Sequence, residues 1–121
     1  MSRDPRLFLE DIVTACDKIG RYTIGLSFDQ FRADEKVVDA VARNLEVIGE
    51  AAKRVPEQLR AQYVDVQWRK MAGIRDVISH GYFGVDLQLV WDIVQRDVPT
   101  ARAKVAAILQ TAFSGTAGGS P

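Results

Sequence analysis

Apolar residues recur every three or four positions through most of the chain, which is the spacing of one buried face on an α-helix. The first segment with this spacing opens at Asp4, an acid suited to an N-cap, and its pattern stops near Gly25. A longer segment begins at residue 33 or 34 and runs to about Val55, where Pro56 ends it. The pattern therefore predicts two long helices in the first half of the chain.

The second half predicts further helices with short connections. A capped short turn is expected at 27–31 and a short helix at 56–63, and Asp65 is a candidate cap for the helix that contains Trp68. Asp86 is expected to cap the last major helix. Pro99 falls inside that helix's apolar pattern, so we expect a kink or a short break around Asp97 to Pro99.

No segment predicts a strand, so the fold class expected is all-α. The architecture expected is an up-and-down bundle of four to five helices around one core. Residues 1–113 form the predicted helical domain. The tail at 114–121 has no apolar pattern and is predicted to be disordered.

Small and charged residues on the long central helix suggest how it packs. Gly49 and the two alanines that follow it are small enough to let another helix approach closely. Acidic and basic residues on another face, among them Glu50 and Arg54, are spaced for ion pairs along the helix and are interpreted as a solvated face. Cys16 lies within the apolar pattern of the first helix, which favours an inert buried thiol.

Composition restricts the class of partner. The chain has 121 residues, of which 47% are hydrophobic and 26% charged, as in a single soluble domain. Sixteen basic and sixteen acidic residues cancel. Any contact with nucleic acid must therefore depend on a local basic patch rather than on net charge.

Cysteine and hydropathy suggest the compartment. One cysteine excludes a disulfide within the chain, and one cysteine with one histidine makes a zinc site within one chain improbable. Neither a signal peptide nor a run of about 18 apolar residues is evident. We expect a cytoplasmic protein that needs no metal or other cofactor of its own and makes no membrane contact.

The stretch from Arg75 to Tyr82 combines the groups that can cut a phosphodiester. His80, the one histidine of the chain, can take up and release a proton near neutral pH. Arg75 carries a permanent charge in a planar fork that fits phosphate oxygens. The pair predicts a proton-transfer group and a phosphate clamp. A histidine near a helix C-terminus can also have a structural role alone, because its positive charge interacts favourably with the helix dipole.

The spacing of these two residues raises a geometric question. Residues five apart in an ideal helix point roughly 140° away from each other. Either the helix turns or frays at Ser79 to Gly81 and brings His80 back towards Arg75, or the pair is completed across a dimer. One histidine cannot be acid and base in one concerted step, so two chains would supply the second.

Other residues near this stretch are weaker candidates. Asp76 could orient Arg75 or form an ordinary exposed ion pair, and Tyr82 could contact phosphate, stack on a base or pack at a helix end. Arg69 and Lys70 could offer a basic surface for RNA. Trp68 beside them is expected in the core.

The arginine, histidine and tyrosine of this stretch resemble the R-x4-H-x-Y motif of HEPN ribonucleases, and specifically of HepT-type toxins. The resemblance extends to 42–52, to 68–76, to 85–91 and to 97–99, and covers about residues 5 to 110. It implies an all-helical homodimer with the two motifs facing a shared cleft. It also implies a metal-independent endoribonuclease in which Arg75 and His80 are catalytic and Tyr82 supports them.

The same resemblance implies a toxin with a partner. In that family an MNT-type nucleotidyltransferase antitoxin transfers AMP to the motif tyrosine, which would be Tyr82. Adenylate would add bulk and negative charge to a cleft meant for RNA. ATP and magnesium would then belong to the antitoxin. Two other interpretations stay open: a non-catalytic HEPN module that binds a nucleotide or a partner, and a helical interaction protein in which His80 only caps a helix.

Overall fold

The computed structural model describes residues 3–81 and 86–118, with the backbone alone at residues 79–81 and 114–118. Helices account for nearly all of these residues, and no strand occurs in the two ranges. The helices are α1 (Pro5–Thr23), α2 (Phe28–Ala33), α3 (Glu35–Arg54), α4 (Glu57–Gln62), α5 (Trp68–Gly81), α6 (Leu87–Asp92) and α7 (Val98–Gly118), with a π-helical turn (Ile93–Asp97) joining the last two. The predicted all-α class is confirmed.

The two long helices of the first half begin where the sequence predicts. The Asp4 carboxylate accepts a hydrogen bond from the backbone N–H of Arg6 at 2.9 Å, which caps α1. After α1, Gly25 has a φ of 77°, a backbone conformation that residues with a side chain rarely adopt. Asp34 caps α3 by accepting from the N–H of Val37 at 3.2 Å. Local capping chemistry thus sets the start of both helices.

The core lies around α3, which packs against α1 on one side and α5 on the other. α7 packs back against α1, so α1, α3, α5 and the α6–α7 rod form the bundle. The largest fully buried side chains are Leu9, Ile12, Ile19, Phe31, Val41, Leu45, Ile48, Val55, Val90 and Val105. Among the helices, α5 packs chiefly against α3, so these contacts set the position of α5.

Asp65 does not cap α5, and that prediction is wrong. The chain makes a tight turn in which the N–H of Val66 donates to the carbonyl of Tyr63 at 3.2 Å, and the helix starts only at Trp68. The turn buries the Val66 side chain and leaves Asp65 exposed on its outside. The carbonyl of Asp65 accepts a hydrogen bond from Lys104 at 2.8 Å, which ties the turn to α7.

The irregularity expected at Pro99 lies one turn earlier and is not a break. The N–H of Val98 bonds to the carbonyl of Ile93, five residues back, in a π-helical turn. Proline has no N–H and its ring crowds the preceding turn, and the wider π turn accommodates both without interrupting the helix. The helix then continues through Pro99 to Gly118. It includes residues 114–118, so disorder from Ser114 onward stays a prediction.

Candidate functional site

Arg75 is fixed to α3 at the base of its side chain. A Cβ built on Gly49 would lie 3.3 Å from the Cβ of Arg75 and 3.4 Å from its backbone nitrogen. Because Gly49 has no side chain, α5 can approach α3 closely at the position that carries the predicted catalytic arginine. The expectation that Gly49 permits a close helix approach is confirmed.

Arg75 is also held at its tip. Nη1 donates to Oε2 of Glu50 at 2.6 Å, a short charge-assisted hydrogen bond. The other carboxylate oxygen, Oε1, lies 3.4 Å from Nη2 and Nε of Arg54. The Arg75 side chain nevertheless stays 48% exposed, so its charge is accessible to solvent and to a ligand.

Arg75 lines a cleft of about 470 Å³ between α1 and α3. Four arginines line it, against three acidic residues, and its apolar part comes from α1 and α3. The lining residues are Arg3, Phe8, Asp11, Arg43, Glu46, Val47, Glu50, Ala51, Arg54 and Arg75. Arg3 is paired with Asp11 at 2.8 Å, whereas Arg43 has no ion pair with any residue in the described ranges. The cleft therefore supplies a local excess of positive charge in a neutral chain.

His80 lies in the same helix as Arg75, one residue before Gly81 at the end of α5. The expected place of the histidine near a helix C-terminus is confirmed. The backbone keeps its helical path through Ser79 and Gly81, so the fraying that would swing His80 towards Arg75 is not observed. The two positions lie on the helix roughly 140° apart. The side chain of His80 and the whole of Tyr82 lie outside the described residues.

The weaker candidates occupy different surroundings. Asp76 is exposed beside Arg75 on α5. Arg69 and Lys70 are exposed on the first turn of α5, and Lys70 pairs with Asp97 at 3.3 Å. Lys70 lines a second cleft of about 290 Å³ between α5 and α7, not the cleft that contains Arg75. Trp68 is buried as expected, with its Nε1 donating to the carbonyl of Tyr63 at 2.9 Å.

Cys16 is buried in the core, which confirms the prediction of an inert thiol. Burial, followed by the negative charge of Asp17, raises the pKa of the Cys16 thiol to about 12. Nowhere in the described ranges do three or more His, Cys, Asp or Glu side chains cluster closely enough to hold a metal ion. Within the same ranges, no helix has the length and hydropathy needed to span a membrane.

The sequence does not predict the pairing of Arg75 with Glu50. Its spacing places Glu50 among the ion pairs along the solvated face of α3, and the bond between Glu50 and Arg54 is one of these pairs. Its stronger bond joins residues 25 positions apart, which no local spacing rule can predict. The signal that could have found it is Gly49, because the residue beside a close helix contact can reach across to the neighbouring helix.

The all-α bundle, with an arginine and a histidine five residues apart on one helix, agrees with what the resemblance to HEPN ribonucleases implies. Within that class the chain belongs to the HepT-like ribonuclease family, whose model matches residues 12–108. The predicted enzyme class, endoribonuclease, is confirmed at the level of the family.

Relatives of similar length match nearly the whole chain. A protein of Thermococcus cleftensis named Probable ribonuclease HepT is 39% identical over 104 residues, which cover 86% of this chain and 94% of the relative. A provisionally named RNase of Methanocaldococcus jannaschii is 41% identical over 108 residues, or 89% of each chain. Another, from Caldanaerobacter subterraneus, is 36% identical over 89% of this chain and 96% of the relative. No solved structure matches.

Proposed function

We propose that this chain is the toxin of a toxin–antitoxin pair and cleaves RNA internally without a metal ion. Family membership supports the ribonuclease activity, and the observation that carries the mechanism is the state of Arg75. That arginine is fixed at its base by Gly49 and at its tip by Glu50, yet it is half exposed beside a cleft lined with arginines. A cation that is both accessible and held in place suits a developing phosphorane.

The proposed reaction is an internal transesterification. The ribose 2′-oxygen attacks the adjacent phosphorus as His80 of one chain removes its proton, and the bond from phosphorus to the 5′-oxygen breaks. A general acid, proposed to be His80 of the second chain, protonates the departing 5′-oxygen, and Arg75 stabilises the negative charge on the phosphorane oxygens. The products are a 2′,3′-cyclic phosphate and a 5′-hydroxyl. Asp76 and Tyr82 take supporting roles, and Arg69 and Lys70 are proposed RNA contacts outside the cleft.

The proposed active unit is a homodimer. Each chain has one histidine, and one imidazole cannot serve as base and acid in the same step. The helical backbone through Gly81 keeps positions 75 and 80 apart on the helix, which favours completion of the pair by a second chain. Two chains with their α5 helices close together would supply two His80 and two Arg75 to one cleft.

The proposed antitoxin is an MNT-type nucleotidyltransferase that transfers AMP to Tyr82. Tyr82 is two residues from His80, so an adenylate there would bring a phosphate and a bulky base to the catalytic stretch. Negative charge at that point would compete with the RNA phosphate for Arg75. Mass spectrometry of the chain after co-expression with the nucleotidyltransferase tests this step, and a mass unchanged by co-expression contradicts it.

Mutation of the two proposed catalytic residues tests the nuclease. We expect Arg75→Ala and His80→Ala each to abolish RNA cleavage and growth inhibition and to leave helical content and oligomeric state unchanged. Arg102→Ala is the matched control, because Arg102 is an exposed arginine on α7 paired with Asp17 at 3.0 Å, away from the cleft. Wild-type protein that binds RNA or nucleotide without cleaving it would favour the non-catalytic module instead.

A further inference from the structure

Glu50 is the acidic residue that joins the cleft to the catalytic arginine. Its carboxylate contacts Arg75 through one oxygen at 2.6 Å and Arg54 through the other at 3.4 Å. The carboxylate is 41% exposed, so it lies at the wall of the cleft rather than in the core. It therefore places a negative charge where an RNA phosphate is expected to bind.

Stability does not explain a carboxylate in this place. Both partners of the pair are well exposed, and exposed ion pairs add little to the free energy of unfolding because solvent screens them and the side chains lose freedom. For binding RNA phosphate, the Glu50 charge is unfavourable. The effect that remains is geometric, because the carboxylate restricts the rotation of a long side chain whose base already packs against Gly49.

The guanidinium of Arg75 can bind a phosphate while it keeps its hydrogen bond to Glu50. The bond to Glu50 occupies Nη1, and an arginine carries further N–H donors on Nη2 and Nε. Those donors can bind phosphate oxygens without breaking the contact with Glu50. A side chain fixed in advance does not have to be ordered in the transition state.

We propose that Glu50 is a positioning residue, which orients Arg75 for the phosphorane at the expense of affinity for RNA. The proposal rests on the proposed function, since it assigns Glu50 a part in that reaction. It predicts opposite effects on two kinetic constants. Removing the carboxylate should lower kcat, because Arg75 loses its orientation, and should also lower KM, because the cleft becomes more positive.

Steady-state kinetics with a short fluorescent RNA test this proposal. We expect Glu50→Ala to lower kcat about 2- to 5-fold, which is the loss of orientation that an exposed ion pair can account for, and to lower KM severalfold at low salt. Glu50→Gln, which keeps an oxygen that can accept from Nη1, should recover part of kcat. A purely structural role would instead lower the apparent kcat in proportion to the fraction of folded protein, which circular dichroism measures, and would leave KM unchanged.

Glu46→Gln separates orientation from charge. Glu46 lines the same cleft one turn earlier and makes no ion pair with residues of the described ranges. Glu46→Gln removes one negative charge from the cleft, as the replacement of Glu50 does. We therefore expect KM to fall by a similar factor, without the fall in kcat. Equal kcat values for Glu50→Gln, Glu50→Ala and wild type would overturn the positioning role.

The orientation of Arg75 can also be measured without cleavage. NMR of the guanidinium N–H groups, assigned by their loss in Arg75→Lys, should show restricted rotation in the wild type and free rotation in Glu50→Ala. Wild-type protein that does not cleave RNA contradicts the proposed function and, with it, the role of Glu50. Wild-type protein that cleaves while Glu50→Ala matches it in kcat and in guanidinium rotation contradicts the role of Glu50 alone.

Discussion

Replacing Gly49 by alanine tests the close packing that fixes Arg75. The new Cβ would lie 3.3 Å from the Cβ of Arg75 and 3.4 Å from both the Arg75 nitrogen and the Met71 carbonyl oxygen. Two of these three atoms belong to the backbone of α5 and the third is attached directly to it, so none can rotate away. The two helices must move apart by a few tenths of an ångström to accept the methyl group.

Two opposing effects determine the size of the change. Alanine in a helix interior is favoured over glycine by up to about 1 kcal/mol. Overpacking a close helix contact costs about 1–3 kcal/mol. We therefore expect Gly49→Ala to lower the free energy of unfolding by about 1 kcal/mol, and to lower kcat because Arg75 moves with α5.

Gly20→Ala is the matched control. Gly20 also lies within a helix, α1, and no atom lies within 4 Å of a Cβ built there. It should gain the helical preference without the crowding and so become more stable by up to about 1 kcal/mol. Urea unfolding followed by circular dichroism at one protein concentration measures both variants. If Gly49→Ala proves as stable as Gly20→Ala, the close approach of α5 to α3 at Arg75 is refuted.

Three further predictions concern the core, a helix cap and the buried thiol. Leu45→Ala removes a side chain with 0% exposure and should cost about 2–5 kcal/mol of unfolding free energy in urea. The Asp86 side chain accepts from the N–H of Leu89 at 3.0 Å, so Asp86→Ala should cost about 0.5–2 kcal/mol while Asp86→Asn keeps most of the stability. Because the pKa of Cys16 rises from 9.0 to about 12 on folding, the stability that it contributes is complete below pH 9 and is lost as pH rises towards 12. Between pH 8 and 10 the wild type should thus lose about 1 kcal/mol more than Cys16→Ala, and equal losses would contradict the burial of the thiol.

The sequence predicts those parts of the fold that depend on local chemistry. Asp4 and Asp86 cap their helices as expected, and α3 begins within two residues of its predicted start, because a side-chain oxygen that caps a helix acts over two or three residues. Asp65 failed as a cap because the tertiary burial of Val66 determines the path of the chain before α5. Local preference competes with packing there, and packing prevails.

The candidate site was predictable only in part for the same reason. The motif identifies Arg75 and places it on a helix, but the contact that orients its side chain comes from Glu50 on another helix. Lys70 appeared adjacent to the motif in sequence, whereas it faces α7 and a different cleft. Five residues along a helix amount to roughly 140° of rotation, so neighbours in sequence need not share a surface.

The chemical nature of the new RNA ends tests the central claim most directly. Purified chain is incubated with RNA in excess EDTA, and the fragments are analysed for a phosphate or a hydroxyl at each end. Attack by the 2′-hydroxyl with Arg75 and His80 predicts 5′-hydroxyl ends and cyclic phosphates, absent with His80→Ala. Fragments that carry 5′-phosphates, or cleavage that stops in EDTA, would contradict it.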